Sequence, residues 1–520
     1  MGAGPSDPAD GLARAYDHVV VGAGTGGCVV AGRLAQGGAR VLLVEAGPRD
    51  DAHPAIADAG AWVSLLGGPC DWGHAYAPGP HIGGRVIPIP RGRVLGGSSS
   101  INAMLWNRGH PSDYDAWARA GATGWDFAAV LPYFRRAEDW EGGETPLRGA
   151  GGPLRIETPR DPHPIARALL AGAAERGMPV LADANGPDNA GAALANLNQR
   201  GARRWSVVDG YVRPLAGNPN LAVLTGSMAL ALLFENGRCT GLRHAVGGRI
   251  VETRARGEVV LALGAIETPR LLMRSGIGDP DELARLGLPV RTALPGVGQN
   301  LQDHPLLMGM NFRARAPLGP VRDNGGGAIL NWRSRGGLPA PDLHAFVVQG
   351  PHAGPEVAAG CDLSGPVFAL SPGLMAARSV GSLRLESAEP AGPVTIQPNF
   401  LAEPADLDAL VAAIDTIMDL AETQPFRELG AAPVAPARRL GRAEKVAFVR
   451  RACSTFFHAC GTCAMGVSET SVVDPALNLH GIAGLRIADA SVIPTIPTCN
   501  TQAPVVMIAE RAAALIAAAA

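Results

Sequence analysis

Short unbroken apolar runs, closed by glycine or a charge, recur along this chain. Val19-Val20-Val21 stops at Gly22, and Val41-Leu42-Leu43-Val44 stops at Glu45. Such runs predict strands buried on both faces, and the apolar stretch between them, residues 28–36, predicts a helix. Residues 221–224, 229–234 and 258–263 form another apolar set. The last of these leads into Gly264 and a helix, which predicts its return to the first sheet. Alternation marks a different region: Ser382-Leu383-Arg384-Leu385-Glu386 and Val394-Thr395-Ile396 favour antiparallel strands. Residues 503–520 have the apolar spacing of a buried helix, interrupted by Glu510-Arg511.

The first strand runs straight into Gly22-Ala23-Gly24-Thr25-Gly26-Gly27, a Gly-x-Gly-x-x-Gly turn at a helix start. Strand, turn and helix N-terminus make a pyrophosphate cradle. The first glycine permits the tight turn, the second lets phosphates approach the backbone, and the third lets helix and strand pack closely. Glu45, ending the second strand, stands where a carboxylate accepts hydrogen bonds from the ribose of an ADP moiety. Glycine turns are common in a chain with 68 glycines, so the strand, helix and acidic residue around this one carry the argument. The turn itself suits NAD and FAD equally.

Two longer patterns decide between them. Gly92-Arg93-Val94-Leu95-Gly96-Gly97-Ser98-Ser99-Ser100-Ile101-Asn102 continues through Asn107-Arg108-Gly109 to Asp115. Its paired glycines and three serines put little bulk and many donors beside a ligand, as a flat ring system requires. Gly264-Ala265-Ile266-Glu267-Thr268-Pro269-Arg270-Leu271-Leu272 closes with Ser275-Gly276-Ile277-Gly278. With these two segments the chain resembles the glucose–methanol–choline (GMC) family of FAD-dependent oxidoreductases. Family-like stretches also begin at Pro295 (through Leu301-Gln302-Asp303-His304), His458 (through Cys460-Gly461-Thr462-Cys463-Ala464-Met465-Gly466) and Ile487 (through Asn500-Thr501-Gln502). The resemblance runs from about Tyr16 to about Ala514 in unbroken order.

The resemblance implies an α/β fold (α+β overall), with a Rossmann-like FAD-binding domain and a second, antiparallel-sheet substrate domain. The first is expected to be discontinuous, over residues 16–155, 215–300 and 466–520, and the second to take 156–214 and 301–465. Implied cofactor contacts are Gly22, Gly24, Thr25, Gly27, Glu45, Ala46, Arg93, Gly97, Ser98, Asn102, Ala103, Met104, Ala229, Gly264, Asp489, Ala490 and Thr501. His458 takes the position of the family's base or hydrogen-bond acceptor, and Asn500 that of a second polar residue in the last loop. By residue type alone, His458 reads as a core histidine and Asn500 as a turn cap. Asparagine can hydrogen-bond a substrate oxygen but cannot titrate near neutrality, so the proton falls to His458 alone. Phe457 is expected as an aromatic pocket wall, and His304 as a structural residue near the domain junction. Some family members bind FAD covalently through a histidine just before the serine-loop asparagine. Ile101 stands there, which implies noncovalent FAD.

The implied reaction is oxidation of a primary, aromatic or heteroaromatic alcohol to the aldehyde by hydride transfer to flavin N5. O2 or another acceptor would take the electrons. The 485–507 segment looks most like hydroxymethylfurfural and pyridoxine oxidases. A choline-dehydrogenase-like enzyme is the alternative. Choline needs an aromatic cage and usually a carboxylate, and an aromatic content of 5% weighs against it. A lyase that retains FAD, or a photodecarboxylase, would carry much of the same motif set.

At 520 residues the chain exceeds the size at which one core keeps growing. Hydrophobic content of 47% with 18% charge fits a well-buried globule, and a net charge of -2 gives no reason to expect nucleic acid or an anionic membrane as partner. Residues 1–15 lack a basic start and an apolar core, so a cytoplasmic enzyme is expected. The eight scattered cysteines are expected as free thiols. Cys460-x-x-Cys463 has redox spacing but no second pair for zinc, so no metal site is expected.

Overall fold

The computed structural model describes residues 16–519, so the reading of residues 1–15 lies outside it. Tyr16–Val21 is the central strand of the first sheet, flanked by Val41–Val44 on one side and the end of Arg249–Leu261 on the other, all parallel. Leu221–Leu224 and Leu485–Ile487 extend the parallel sheet at either side. Apolar side chains on both faces explain the unbroken runs: Val19, Val20, Val41 and Leu43 are fully buried. The strand Arg249–Leu261 serves twice. Its first half closes an antiparallel meander with Ser227–Glu235 and Arg238–Val246, and its last residues lie beside Tyr16–Val21.

Helix Thr25–Gln36 begins three residues before the predicted start and packs against the terminal helix Gln502–Ala519. That last helix is long and apolar enough to cross a bilayer by length and composition, and 61% of it is buried inside the protein. Glu510, which interrupts its apolar run, is fully buried. It accepts from Arg33 Nε and from the Tyr211 hydroxyl (2.7 Å), and pairs with Arg136 at 2.6 Å. Arg511 lies over the Trp125 ring, 4.3 Å from its centre. Both charges are therefore spent internally.

The second sheet is antiparallel throughout and eight-stranded. Its main path orders Ala432–Ala435, Asn311–Arg313, Val367–Leu374, Leu343–Val348, Ala328–Trp332 and Gly191–Leu194. Pro305–Leu307 joins it beside Val367–Leu374 and pairs in turn with Cys453–Thr455. Ser382–Leu385 and Val394–Gln397 are antiparallel partners, as their alternation predicts, but they form a separate two-stranded sheet.

Candidate active site

One continuous cavity runs from the glycine turn, between the two sheets, to the loop holding Asn500. At its first end the helix Thr25–Gln36 starts at Gly24 with no side-chain cap, which leaves its first N–H groups for an anion. A Cβ at Gly27 would lie 1.8 Å from the Gly22 carbonyl oxygen, so that glycine serves helix–strand packing. At Gly24 a Cβ would meet no protein atom closer than 3.8 Å; the room there belongs to the cavity. Glu45 stands beside it, buried. Each of its oxygens accepts one backbone N–H, Oε2 from Ala23 (3.0 Å) and Oε1 from Gly47 (2.8 Å). The remaining lone pairs can accept hydroxyl protons. Burial pushes its carboxyl up to about 7 against the pull of those N–H groups.

At the other end two distant segments meet. Pro305 lies opposite Thr455 and Gln302 opposite Cys460, so residues 302–305 and 455–460 run antiparallel. This pairing brings the rings of His304 and His458 together, Nδ1 to Nδ1 at 2.9 Å. Asp303 holds both backbones: its Oδ1 accepts from the N–H of His304 (2.7 Å) and of His458 (2.8 Å). Its Oδ2 accepts from the hydroxyls of Tyr76 (2.5 Å) and Thr455. Asn500 Nδ2 is 3.2 Å from His458 Nε2, and Asn107 Nδ2 donates to Asn500 Oδ1 at 2.7 Å. Asn107 thereby turns the Asn500 amide so that its NH2 faces the histidine. Asp113 anchors that loop from outside, accepting from the Thr498 N–H and hydroxyl.

This pattern assigns the tautomer of His458. An N–H from Asn500 makes Nε2 an acceptor, so the neutral ring carries its proton on Nδ1, toward His304. Burial, reinforced by His304 and Arg91, holds its imidazolium pKa well below 6.5. Nε2 is therefore unprotonated at neutral pH.

The fold gathers most of the predicted site. Gly22, Gly24, Thr25, Glu45, Ala46, Gly97, Ser98, Asn102, Ala103, Met104, Ala229, Gly264, Asp489, Ala490 and Thr501 line the cavity with Phe457, His458 and Asn500. Arg93 does not; its guanidinium lies over the Trp72 ring, 5.1 Å from the centre, beside a neighbouring cleft. Gly27 sits behind the turn. Phe457 lines the wall, but the ring stacked on His458 is that of Phe456, 5.5 Å away and nearly parallel. Phe457 has φ +65°, which breaks the strand alternation on which a side-chain assignment would depend. His304 is more than a junction residue, because its ring touches His458 directly. Asn107 falls inside the serine-loop motif, but nothing in that motif placed it beside Asn500, and no pattern marked Phe456.

The GMC oxidoreductase family models match residues 16–306 and 377–509. The chain belongs to the GMC oxidoreductase family. It is 36% identical to human mitochondrial choline dehydrogenase, over 96% of this chain and 89% of that protein. It is 34% identical to an oxygen-dependent choline dehydrogenase of Brucella anthropi, covering 95% and 94%. Among solved structures, pyridoxine 4-oxidase from Mesorbium loti matches with TM-score 0.92 and 32% identity, covering 96% of this chain and 98% of that one. A point variant of Aspergillus oryzae formate oxidase matches with TM-score 0.88 and 27% identity, covering 97% and 98%.

This GMC oxidoreductase is an enzyme of CH–OH oxidation, and its cavity fits the family's FAD. The uncapped helix start, the vacant space at Gly24 and the free lone pairs of Glu45 suit an ADP moiety. The Gly97-Ser98 and Gly264 backbones border the route from there to His458. Ile101, also on the lining, offers no nucleophile for a covalent link.

Proposed function

We propose that this protein oxidises a neutral primary aryl or heteroaryl alcohol to the aldehyde, with FAD held noncovalently by residues 16–155, 215–300 and 466–520. FAD, when bound, supplies the hydride acceptor; O2 or another oxidant then takes the electrons. The protein's own part is acid–base and positional. His458 Nε2 accepts the hydroxyl proton, and the Asn500 NH2 group donates to the oxygen as its charge develops. At neutral pH the ring is in its unprotonated, proton-accepting form, with its Nδ1–H held by His304.

The character of the wall beside His458 carries the substrate assignment. It is made of Leu306, Ile329, Phe346, Val348, Phe456 and Phe457. The cavity's carboxylates are engaged elsewhere. Glu45 is at the cradle, Glu267 pairs with Arg270 (2.9 Å) and His74, and Asp489 accepts from Gly264 N–H and the Thr268 hydroxyl. A quaternary ammonium gains most from a carboxylate beside an aromatic cage, and this wall supplies aromatic rings without a carboxylate among the described residues. It suits a flat uncharged ring.

Anaerobic mixing of the holoenzyme with benzyl alcohol, pyridylmethanols and choline tests the reading. Aryl methanols should bleach the flavin and choline should not. Bleaching by choline alone would support the choline-dehydrogenase reading. No bleaching by any alcohol would favour lyase or light-driven chemistry.

A further inference from the structure

Apart from His458, the described residues of the cavity wall beside Phe346 include a second imidazole, His352. It is built in from several sides. Its backbone N–H donates to Asn311 Oδ1 (2.9 Å), and Asn311 Nδ2 donates back to its carbonyl (3.0 Å). Its Nδ1 lies 2.7 Å from Ser371 Oγ. Asn311 and Ser371 are fully buried on neighbouring strands. Its Nε2 has no hydrogen-bond partner among the described residues, although its ring lines the cavity. The ring packs edge-on against Phe346 (5.7 Å between centres). Phe346 packs on Phe456 (5.6 Å), and Phe456 stacks on His458 (5.5 Å). One aromatic wall thus runs from the base to His352.

The hydroxyl of Ser371 settles which nitrogen of His352 carries the proton. Ser371 Oγ has no other hydrogen-bond partner among the described residues. If it accepted from an Nδ1–H, its own proton would be left unpaired in a fully buried place, which carries the full desolvation penalty of that group. It therefore donates to Nδ1, and the neutral ring carries its proton on Nε2, toward the cavity. Burial keeps this imidazole neutral, with a pKa of about 4.

We propose that His352 determines substrate specificity, its Nε2–H donating to an acceptor on the substrate ring, a ring nitrogen or ring-borne oxygen remote from the carbinol. This deepens the aryl-alcohol reading and rests on it. A plain phenyl ring would leave that N–H unpaired once it displaces water, so the site should favour heteroaromatic alcohols.

The test compares benzyl alcohol with the three pyridylmethanol isomers, in anaerobic stopped-flow reduction and steady-state turnover of the holoenzyme. His352→Phe keeps an aromatic ring and removes the donor; His352→Gln keeps a donor. Substrate electronics act alike in all forms, so the informative quantity is the change in the pyridyl-to-benzyl ratio of kcat/KM. For at least one isomer His352→Phe should reduce that ratio about tenfold, mainly through KM, with His352→Gln recovering part. Ser371→Ala, which frees the tautomer, should give a smaller loss in the same isomer. It carries the test if His352→Phe does not fold. Ratios unchanged for every isomer, with both alcohol types still oxidised, would overturn the role of His352 alone. Failure of all four alcohols to reduce the flavin would overturn the aryl-alcohol reading, and this inference with it.

Discussion

His304 and His458 meet ring nitrogen to ring nitrogen, Nδ1 to Nδ1, at 2.9 Å, though 154 residues separate them. One nitrogen must donate and the other accept. Since Asn500 occupies His458 Nε2, His458 is the donor and His304 the acceptor. Burial pushes His304 down to about 3, so it remains neutral and able to accept. In the proposed reaction His304 therefore positions His458.

Replacing His304 should expose that role. In His304→Ala the tautomer lock is lost while His458 Nε2 remains in place. The limiting rate of flavin reduction should fall by about tenfold, well short of the loss from removing His458. The break in its pH profile should move up toward 6.5, because a water beside Nδ1 stabilises the imidazolium. An unshifted break would assign His304 to packing alone.

His458→Ala should lower anaerobic flavin reduction on the order of 10²–10⁴-fold with FAD still bound. Asn500→Ala should cost less, since the proton acceptor stays. The double mutant should be less impaired than the product of the two effects, because both side chains address one hydroxyl. Stopped-flow reduction of the three variants decides this. Near-wild-type reduction in His458→Ala would place the chemistry elsewhere.

With the proposed role at the ribose, Glu45 should couple cofactor retention to pH. Its carboxyl is raised to about 7 in the folded protein, and only the carboxylate accepts two ribose hydroxyl protons. FAD affinity should therefore weaken as pH falls through about 7, and Glu45→Gln should flatten the dependence. Glu45→Ala should weaken retention at every pH while excess FAD restores the holoenzyme. Affinities from apoprotein titration at pH 6 and 8 provide the check.

Acid stability should be lost early. His304, His344 and His352 have folded pKa values near 3, 4 and 4, below the 6.5 of an unfolded histidine. Between those values the unfolded chain binds more protons than the folded one, so stability falls as pH drops below about 6.5. Each unit of separation contributes about 1.4 kcal/mol per group. Glu45 acts oppositely, its raised pKa favouring the folded state more as pH falls through the same range. The three histidines outweigh it. The melting temperature should decline from pH 6.5 to 4, and less steeply in His352→Gln.

FAD should leave with the acid supernatant when the holoenzyme is precipitated, since Ile101 offers no attachment point. Yellow colour retained in the pellet would overturn noncovalent binding.

How much was legible in the sequence depended on how local the feature is. The cradle is written in neighbouring residues: Val19–Val21, the Gly22–Gly27 turn and Glu45 need only a strand, a turn and a helix in succession. Alternation marked Ser382–Leu385 and Val394–Gln397 as an antiparallel pair, but not the eight-stranded sheet, whose strand Val367–Leu374 is buried at every position and so carries no alternation. His458 and Asn500 were legible only through family motifs, since their residue types alone suit a core histidine and a turn cap. Arg93 lies within a motif, and its guanidinium stacks on Trp72, which itself lines the cavity.

By itself, the sequence determined the nucleotide cradle, the buried strands beside it and the family. Each rests on residues close along the chain or on long matched patterns. What surrounds His458 came from the tertiary structure alone. His304 reaches His458 because strands from distant segments pair in one register, and Asn107 reaches Asn500 across 393 residues. Phe456 rather than Phe457 stacks on His458, because a positive φ reorients the chain between them. The protonated nitrogens of His458 and His352 were settled last, by partners that no linear pattern places beside them.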